Sequence, residues 1–456
     1  MTAFSRIVPA YFLDDYHIIC LRETRDLHLL REKTGILCLE EAGPPVLEQG
    51  VNSAWLLAHP LVRGYLKGGS GPKHLFLYQA YPELETLAET EGWTLLANPA
   101  FLRMRLVERS FFQEMVTRLG LPGVPGVIRP IDRIHGCDYD HWRKRVGERF
   151  VVQLPDVRQG GGRGTFFISS EQEYGRLQER LEEKTWRGLR LSSVCVRPFV
   201  EGVPASLALC LTRQGVLFSG VQRQLIDLPY LRGLPEHGVF CGHVWEDSPW
   251  PSWVVRQTRE QAQVIADYLF TLGYRGIMGI DFLLNGRSRR VHALEINPRL
   301  TGVFPMLSLL HLQRGIIPLE AFHMLEFLDV PYRVDVEGLN AQYAGPFKGS
   351  HVLLLRGMGG KVSEKAPQAG LYEYGPGGCT FVREGTDYEE VGTERQFVIV
   401  DGPPRIRTHG PLDTHDRLCR LLFPSSVLGQ EGRFRPWVQE ALDWAHRNMV
   451  TGEGPS

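Results

Sequence analysis

Two acids and an amide stand at strand-like spacing in the segment GIDFLLNGRSRRVHALEINPRLTG. Asp281 and Glu295 fall in two apolar runs, GIMGIDFLL and RRVHALEINP, whose composition predicts paired strands with a turn at Asn285-Gly286. A hairpin of this kind lets both acids reach one end of the pair. Asn297 lies two positions beyond Glu295, so alternation places their side chains on one face. Two carboxylates and an amide oxygen are hard ligands suited to Mg²⁺, which also keeps water and phosphate oxygens. Arg299, two residues further, shares that face and offers a planar fork to phosphate charge.

Upstream, RFVVQLPD and TFFISS flank RQGGGRG, which predicts a hairpin with a glycine-rich connection. Backbone N–H groups of Gly160, Gly161, Gly162 and Gly164 suit close approach to an anion, although glycine runs at hairpin tips are often plain turns. In RPFVEG, Phe199 and Val200 form an apolar wall that suits a purine and would equally pack in any strand.

DFLL, a turn, and EINPRLTG resemble the C-terminal metal hairpin of the ATP-grasp superfamily, as in biotin carboxylase and D-alanine:D-alanine ligase. The resemblance covers about residues 98 to 330. It implies MgATP as cofactor, with two Mg²⁺ ions for which Mn²⁺ can substitute, and Asp281, Glu295 and Asn297 as metal ligands. It implies Gly160, Gly161, Gly162 and Gly164 as the phosphate-covering loop, and Arg197, Pro198, Phe199 and Val200 as the adenine hinge. Glu201 stands for the ribose, although the family's usual ribose acid falls where this chain has Pro204. Arg109 occupies the place of a first ATP-binding lysine and Gln153 that of a second. Gln153 supplies a donor and an acceptor but no charge, leaving Arg158 and Arg163 as compensating cations. Arg299 would stabilise transition-state charge. The implied reaction activates a carboxylate as an acylphosphate and transfers it to an amine, forming an amide or peptide bond. Bicarbonate activation in a carboxylase, or a degenerate nucleotide-binding scaffold, are the alternatives. A dinucleotide oxidoreductase is disfavoured because no GxGxxG follows a strand in the first hundred residues.

The elements that must position these residues follow from periodicity. Runs at Tyr16–Leu21, Gly35–Leu39 and His74–Tyr78 alternate with helix-like stretches, predicting a small parallel α/β unit. Leu84, Leu87 and Ala88 mark a helix face that Gly92 stops, and a boundary is expected near Asn98-Pro99. One helix is expected over Arg103–Leu119, stopped by Gly120, and another over Thr258–Leu272. Residues 227–251 read as a long loop in which Arg232, His237 and His243 are candidate pocket residues. The expected fold is thus α/β and α+β. A parallel α/β pre-ATP-grasp domain spans residues 1–98. The resemblance implies a two-lobed ATP-grasp core over 99–330, with lobes of about 99–195 and 196–330. A β-rich, mixed α+β domain spans 331–456, where Lys348, Arg356 and Tyr374 are candidates for an acceptor site or a homodimer contact.

The formal net charge is −1, so no broad positive field favours nucleic acid or anionic lipid. The eight cysteines include no CxxC pair, which disfavours a zinc knuckle and a disulfide framework. No signal peptide and no run of membrane-spanning length is apparent, so a soluble, cytoplasmic protein acting on small molecules is expected.

Overall fold

A computed structural model describes residues 2–43, 52–156, 161–228, 236–245, 250–357, 361–404, 417–429 and 432–451. Near the start, His17–Cys20 pairs in parallel with Gly35–Cys38, and His74–Phe76 with Thr94–Leu96. The parallel strands expected here are present, but as two separate two-stranded sheets. The helix Pro82–Glu91 buries Leu84 and Ala88 and ends at Gly92, whose φ of +70° accommodates a left-handed C-terminal stop.

The small lobe carries a four-stranded antiparallel sheet in the order Val127–Pro130, Ser193–Pro198, Phe150–Gln153, Thr165–Ile168. Its core includes the fully buried Trp142, Phe150 and Tyr174. The helix Glu171–Arg180 is capped by Ser170, whose hydroxyl accepts the Glu173 N–H.

The large sheet has eleven strands, all antiparallel. Its order runs Arg290–Asn297, Gly276–Asn285, Val203–Thr212, Gln222–Ile226, Phe240–Trp245, Gly349–Leu355, Arg417–Phe423, Gln396–Val400, Gly370–Gly375, Gly378–Arg383, with Gly215–Phe218 alongside Val203–Thr212. The strand Phe240–Trp245 bonds directly to Gly349–Leu355, so one continuous hydrogen-bonded sheet runs from the acidic hairpin into the C-terminal residues. The helix Ser252–Thr271 packs on this sheet through Val254, Thr258, Ala262, Ile265 and Leu269, a helical spacing.

Four expectations need correction. The stretch Arg103–Leu119 is two helices, Ala100–Leu106 and Arg109–Arg118, because the backbone of Glu108 is extended (φ −68°, ψ 129°) and starts the second helix afresh. The hairpin turn is a four-residue connection rather than a two-residue one. Asn285 pairs with Arg290 as the last rung, and its Oδ1 accepts the Ser288 N–H. The expected loop over 227–251 contains the strand Phe240–Trp245, which alternation missed because both faces of the strand are covered. The run GVLFSGVQRQLI, whose alternation and β-branched or aromatic content predict one strand, is two, Gly215–Phe218 and Gln222–Ile226. Among the described residues, no helix is long and apolar enough to cross a membrane.

Candidate active site

The hairpin Gly276–Asn285 and Arg290–Asn297 sets Asp281 directly opposite Glu295, with a register shift just beyond Asp281. Asp281 Oδ1 accepts the Gln224 side-chain amide at 2.8 Å, and Oδ2 accepts that of Asn297 at 2.9 Å. The same Asn297 nitrogen lies 3.4 Å from Glu295 Oε1. Loss of hydration, and then the facing Glu295 charge, push the Asp281 carboxyl well above the usual carboxylate range. Two carboxylates held on one rung, repelling each other, are a donor set that fits a divalent cation. Asn297 is less ready than its carboxylate neighbours. Its amide nitrogen faces both acids while its oxygen accepts Arg299 Nη2 at 3.0 Å, so the amide must turn to offer oxygen to a metal. Among the described residues, no group of three or more His, Cys, Asp or Glu gathers as a metal site.

Three guanidiniums border the acids. Arg109, the first residue of its helix, sits 3.8 Å from Glu295. Arg197, on the hinge strand, is only 7% exposed, and its Nε has no hydrogen-bond partner. Burial, followed by the charge of Arg109, holds the Arg197 guanidinium below its ordinary pKa. Arg197 was expected to serve through its backbone, but its side chain faces the charged site. Arg299 donates to Asn297, to the Leu300 carbonyl at 2.9 Å and to the Tyr78 hydroxyl, with its guanidinium 4.9 Å from the Tyr78 ring. Gln153 makes one long contact, Nε2 to Thr165 Oγ1 at 3.4 Å, while its buried Oε1 has no hydrogen-bond partner. A buried acceptor left empty costs free energy unless a ligand fills it.

Gly161, Gly162 and Gly164 all hold positive φ, at 69°, 82° and 72°. Gly160 and Arg158 lie outside the described residues, as does Arg232. The loop is docked: Phe240 N–H donates to the Gly161 carbonyl at 3.3 Å and His237 N–H to Thr165 at 2.8 Å. His237 also stacks on Phe167 at 5.1 Å and 17°. These contacts tie the small lobe to the segment entering Phe240–Trp245.

Pro198, Phe199 and Val200, with Glu201 and Gly202, connect the two sheets between Ser193–Pro198 and Val203–Thr212. Phe199 is covered on one side by Arg149 at 4.0 Å and meets Phe167 edge-on at 5.3 Å. Glu201 is exposed and paired with Arg149 at 3.4 Å and Arg287 at 3.7 Å, so its carboxylate is engaged on the surface.

Sequence reading missed Gln224 and Tyr78. The sequence holds no distinct signal for Gln224, because Gln222, Arg223 and Gln224 are consecutive polar residues and none stands out. Gln224 begins a polar row on the sheet. It is in register with His243, whose Nδ1 lies 2.9 Å from His351 Nε2, and Arg420 donates to His351 Nδ1 at 2.9 Å. Burial, and then the charge of Arg420, hold the His243 pKa down to about 3, so the imidazole is neutral. His243 is therefore a buried member of this row rather than a residue of a solvated loop.

Beside Arg299 opens a cavity of about 1910 Å³ lined by all three parts of the chain, among them Arg6, Tyr78, Gly302 and Arg417. His237, His243, Lys348, Arg356 and Tyr374 are not among its lining residues.

Residues 148–303 match the model of the ATP-grasp domain family, a span that holds the glycine loop, hinge and hairpin. No sequence among curated proteins matches the chain significantly. Among solved structures, the chain is similar in fold to the biotin carboxylase of Campylobacter jejuni, at TM-score 0.59 and 11% identity over 93% of this chain and 85% of that one. It is also similar to the biotin carboxylase domain of Hydrogenobacter thermophilus 2-oxoglutarate carboxylase, solved with MgADP, ADP and bicarbonate, at TM-score 0.56 and 13% identity over 93% and 84%. A third is the N5-carboxyaminoimidazole ribonucleotide synthetase of Thermus thermophilus, at TM-score 0.51 and 14% identity over 99% and 96%. The match encloses the acidic hairpin and its glycine loop, so residues 148–303 of this chain are an ATP-grasp domain.

Proposed function

We propose that the chain is an ADP-forming, ATP-dependent ligase that activates a small carboxylate as an acylphosphate and passes it to an amine. The observation that carries this reading is the Asp281–Glu295 rung, bordered by Arg109, Arg197 and Arg299, of which Arg299 also lines a cavity large enough for organic substrates. Domains of 1–98, 99–330 and 331–456 are the proposed division, the first and last closing the substrate side.

In this reading Asp281, Glu295 and a turned Asn297 hold Mg²⁺, which neutralises phosphate charge when bound. Arg109 and Arg197 supply the fixed positive charge that Gln153 lacks, and Gln153 Oε1 is an acceptor for a nucleotide amino group. Gly161, Gly162 and Gly164 cover phosphate with backbone N–H groups, and the 197–201 hinge holds the base. A substrate carboxylate oxygen attacks the γ-phosphorus and the bond to ADP breaks. An amine nitrogen then attacks the acyl carbon, phosphate leaves, and the nitrogen loses a proton. Arg299 sits where charge develops in these steps and orients the substrate carboxylate.

A second reading, bicarbonate activation, is favoured by the names of the structural neighbours, which are carboxylases or a carboxyaminoimidazole synthetase. The test is ADP release across a panel of carboxylates with hydroxylamine as acceptor, beside labelled bicarbonate. Hydroxamate formation that depends on carboxylate and is lost in Glu295→Gln supports ligation. Label fixation from bicarbonate without hydroxamate replaces it with the carboxylase reading, and turnover by Glu295→Gln at the wild-type rate refutes both.

A further inference from the structure

The substrate cavity is strongly biased in charge: seven arginine and lysine side chains line it against three carboxylates, Asp14, Asp15 and Glu83. Two of its cations are already engaged. Arg417 bonds Asp401 at 2.9 Å and Arg420 lies 3.6 Å from the same carboxylate. Asp401 is fully buried and further held by the hydroxyls of Thr2 and Ser5, so this cluster is closed on itself.

Arg6 is different. It sits at the end of the short Phe4–Arg6 turn, half-buried, and the one hydrogen bond of its guanidinium among the described residues goes to its neighbour's carbonyl, Ser5 O, at 2.9 Å. No carboxylate of the described residues lies within 4 Å of its guanidinium nitrogens. Its plane covers one part of the Tyr78 ring at 5.3 Å, while Arg299 lies 4.9 Å from the same ring. Tyr78 thus keeps two cations apart and leaves both facing the same cavity. Desolvation holds the Arg6 pKa below its ordinary value, outweighing the opposing pull of Tyr16, Tyr78 and the Asp401 carboxylate, which forms no ion pair with it. A desolvated guanidinium with donors to spare is unfavourable in the empty site and favourable once an oxyanion arrives.

We propose that the substrate taken beside Arg299 carries a second oxyanion group, a carboxylate or a phosphate, and that Arg6 binds it across Tyr78. The inference rests on the ligase reading for Arg299 but concerns a separate contact. A monoanionic substrate would satisfy Arg299 and leave Arg6 bare; a substrate with two anionic ends satisfies both. Arg6 then acts as a specificity residue outside the matched domain, so substrate choice lies in the N-terminal segment while the nucleotide chemistry lies in residues 148–303.

The test uses the full chain with saturating Mg·AMP-PNP to fill the nucleotide phosphate positions, and titrates inorganic phosphate and, separately, acetate by calorimetry. Wild type is expected to bind one or both at the cavity. Arg6→Gln should weaken that binding by about tenfold or more, the scale of a lost charge-assisted contact, while Arg6→Lys recovers part of it. Preference for phosphate over acetate, or the reverse, identifies the group. Thermal melting confirms that each variant folds. Absence of anion binding in wild type, or equal binding by Arg6→Gln, overturns the proposal. The nucleotide is titrated first, so failure of AMP-PNP to bind counts against the ligase reading alone, and the anion titration still judges Arg6.

Discussion

Alanine at Gly162 and at Gly161 should have unequal effects, although the two glycines are adjacent and both hold positive φ. At Gly161 a Cβ would meet nothing within 4 Å, so the cost is the left-handed backbone alone, about 1–2 kcal/mol. At Gly162 a Cβ would fall inside the Gly238 carbonyl and 2.8 Å from Val239 N. Backbone on both sides cannot swing away as a side-chain tip can. The loop must therefore lift, and the bonds from His237 N–H to Thr165 and from Phe240 N–H to Gly161 go with it. At a net value of about 1 kcal/mol each, their loss adds about 2 kcal/mol to the strain, or about 30-fold in the docking equilibrium. Native-state hydrogen exchange reads this directly. Protection of the His237 amide should fall about 30-fold further in Gly162→Ala than in Gly161→Ala, with global stability much less affected. Equal protection in the two variants would show that the docked contact does not govern the loop.

Other expectations follow from the same geometry. Millimolar MgATP should raise the melting temperature, by a stabilisation of about 2.7 kcal/mol at one hundred times Kd, and unchanged melting together with no heat of binding removes the nucleotide assignment. Gln153→Lys removes the unsatisfied Oε1 acceptor proposed for the nucleotide amino group and should weaken nucleotide binding about tenfold by titration; tighter binding would show that the position lacks charge rather than offers that acceptor. Glu320, buried beside Ser308, has its pKa raised to about 7 by burial. Because the folded value exceeds the unfolded one, its contribution is fully present below about pH 4.5 and is lost as pH rises through 7, up to about 3 kcal/mol. Urea melts should therefore show Glu320→Gln gaining on wild type between about pH 4.5 and 7 and levelling off above that, and a pH-independent difference would refute the assignment.

The elements legible in the sequence were those whose signals are local. Gly92 and Gly120 stop helices by positive φ, Ser170 caps one, and the acidic hairpin is readable from two apolar runs around a turn. The break at Glu108 was not legible, since hydrophobic periodicity continues from Leu106 to Phe111 while only the backbone changes direction. Phe240–Trp245 hid among glycines and prolines because its strand character comes from neighbours on both edges, 222–226 and 349–355, far away in sequence. Within the site, residue type revealed Asp281, Glu295 and Arg299. Gln224 and Tyr78 were invisible because a neutral amide and a phenol declare their roles only when folding brings them against Asp281 and Arg299. The Arg197 side chain was overlooked for a related reason: its strand reads as hinge backbone, and its burial beside Arg109 is a tertiary fact.

The ladder between Phe240–Trp245 and Gly349–Leu355 has a consequence during synthesis on the ribosome. The first of these strands emerges about a hundred residues before its partner, an interval of about 5–20 s at ordinary translation rates. Throughout that time the growing sheet ends in an unpaired edge bearing Phe240, Cys241, Val244 and Trp245, an invitation to neighbouring nascent chains. A polypeptide terminated after the matched domain would keep that edge permanently. Premature stops late in the message should thus be more damaging to proteostasis than their distance from the acidic hairpin suggests.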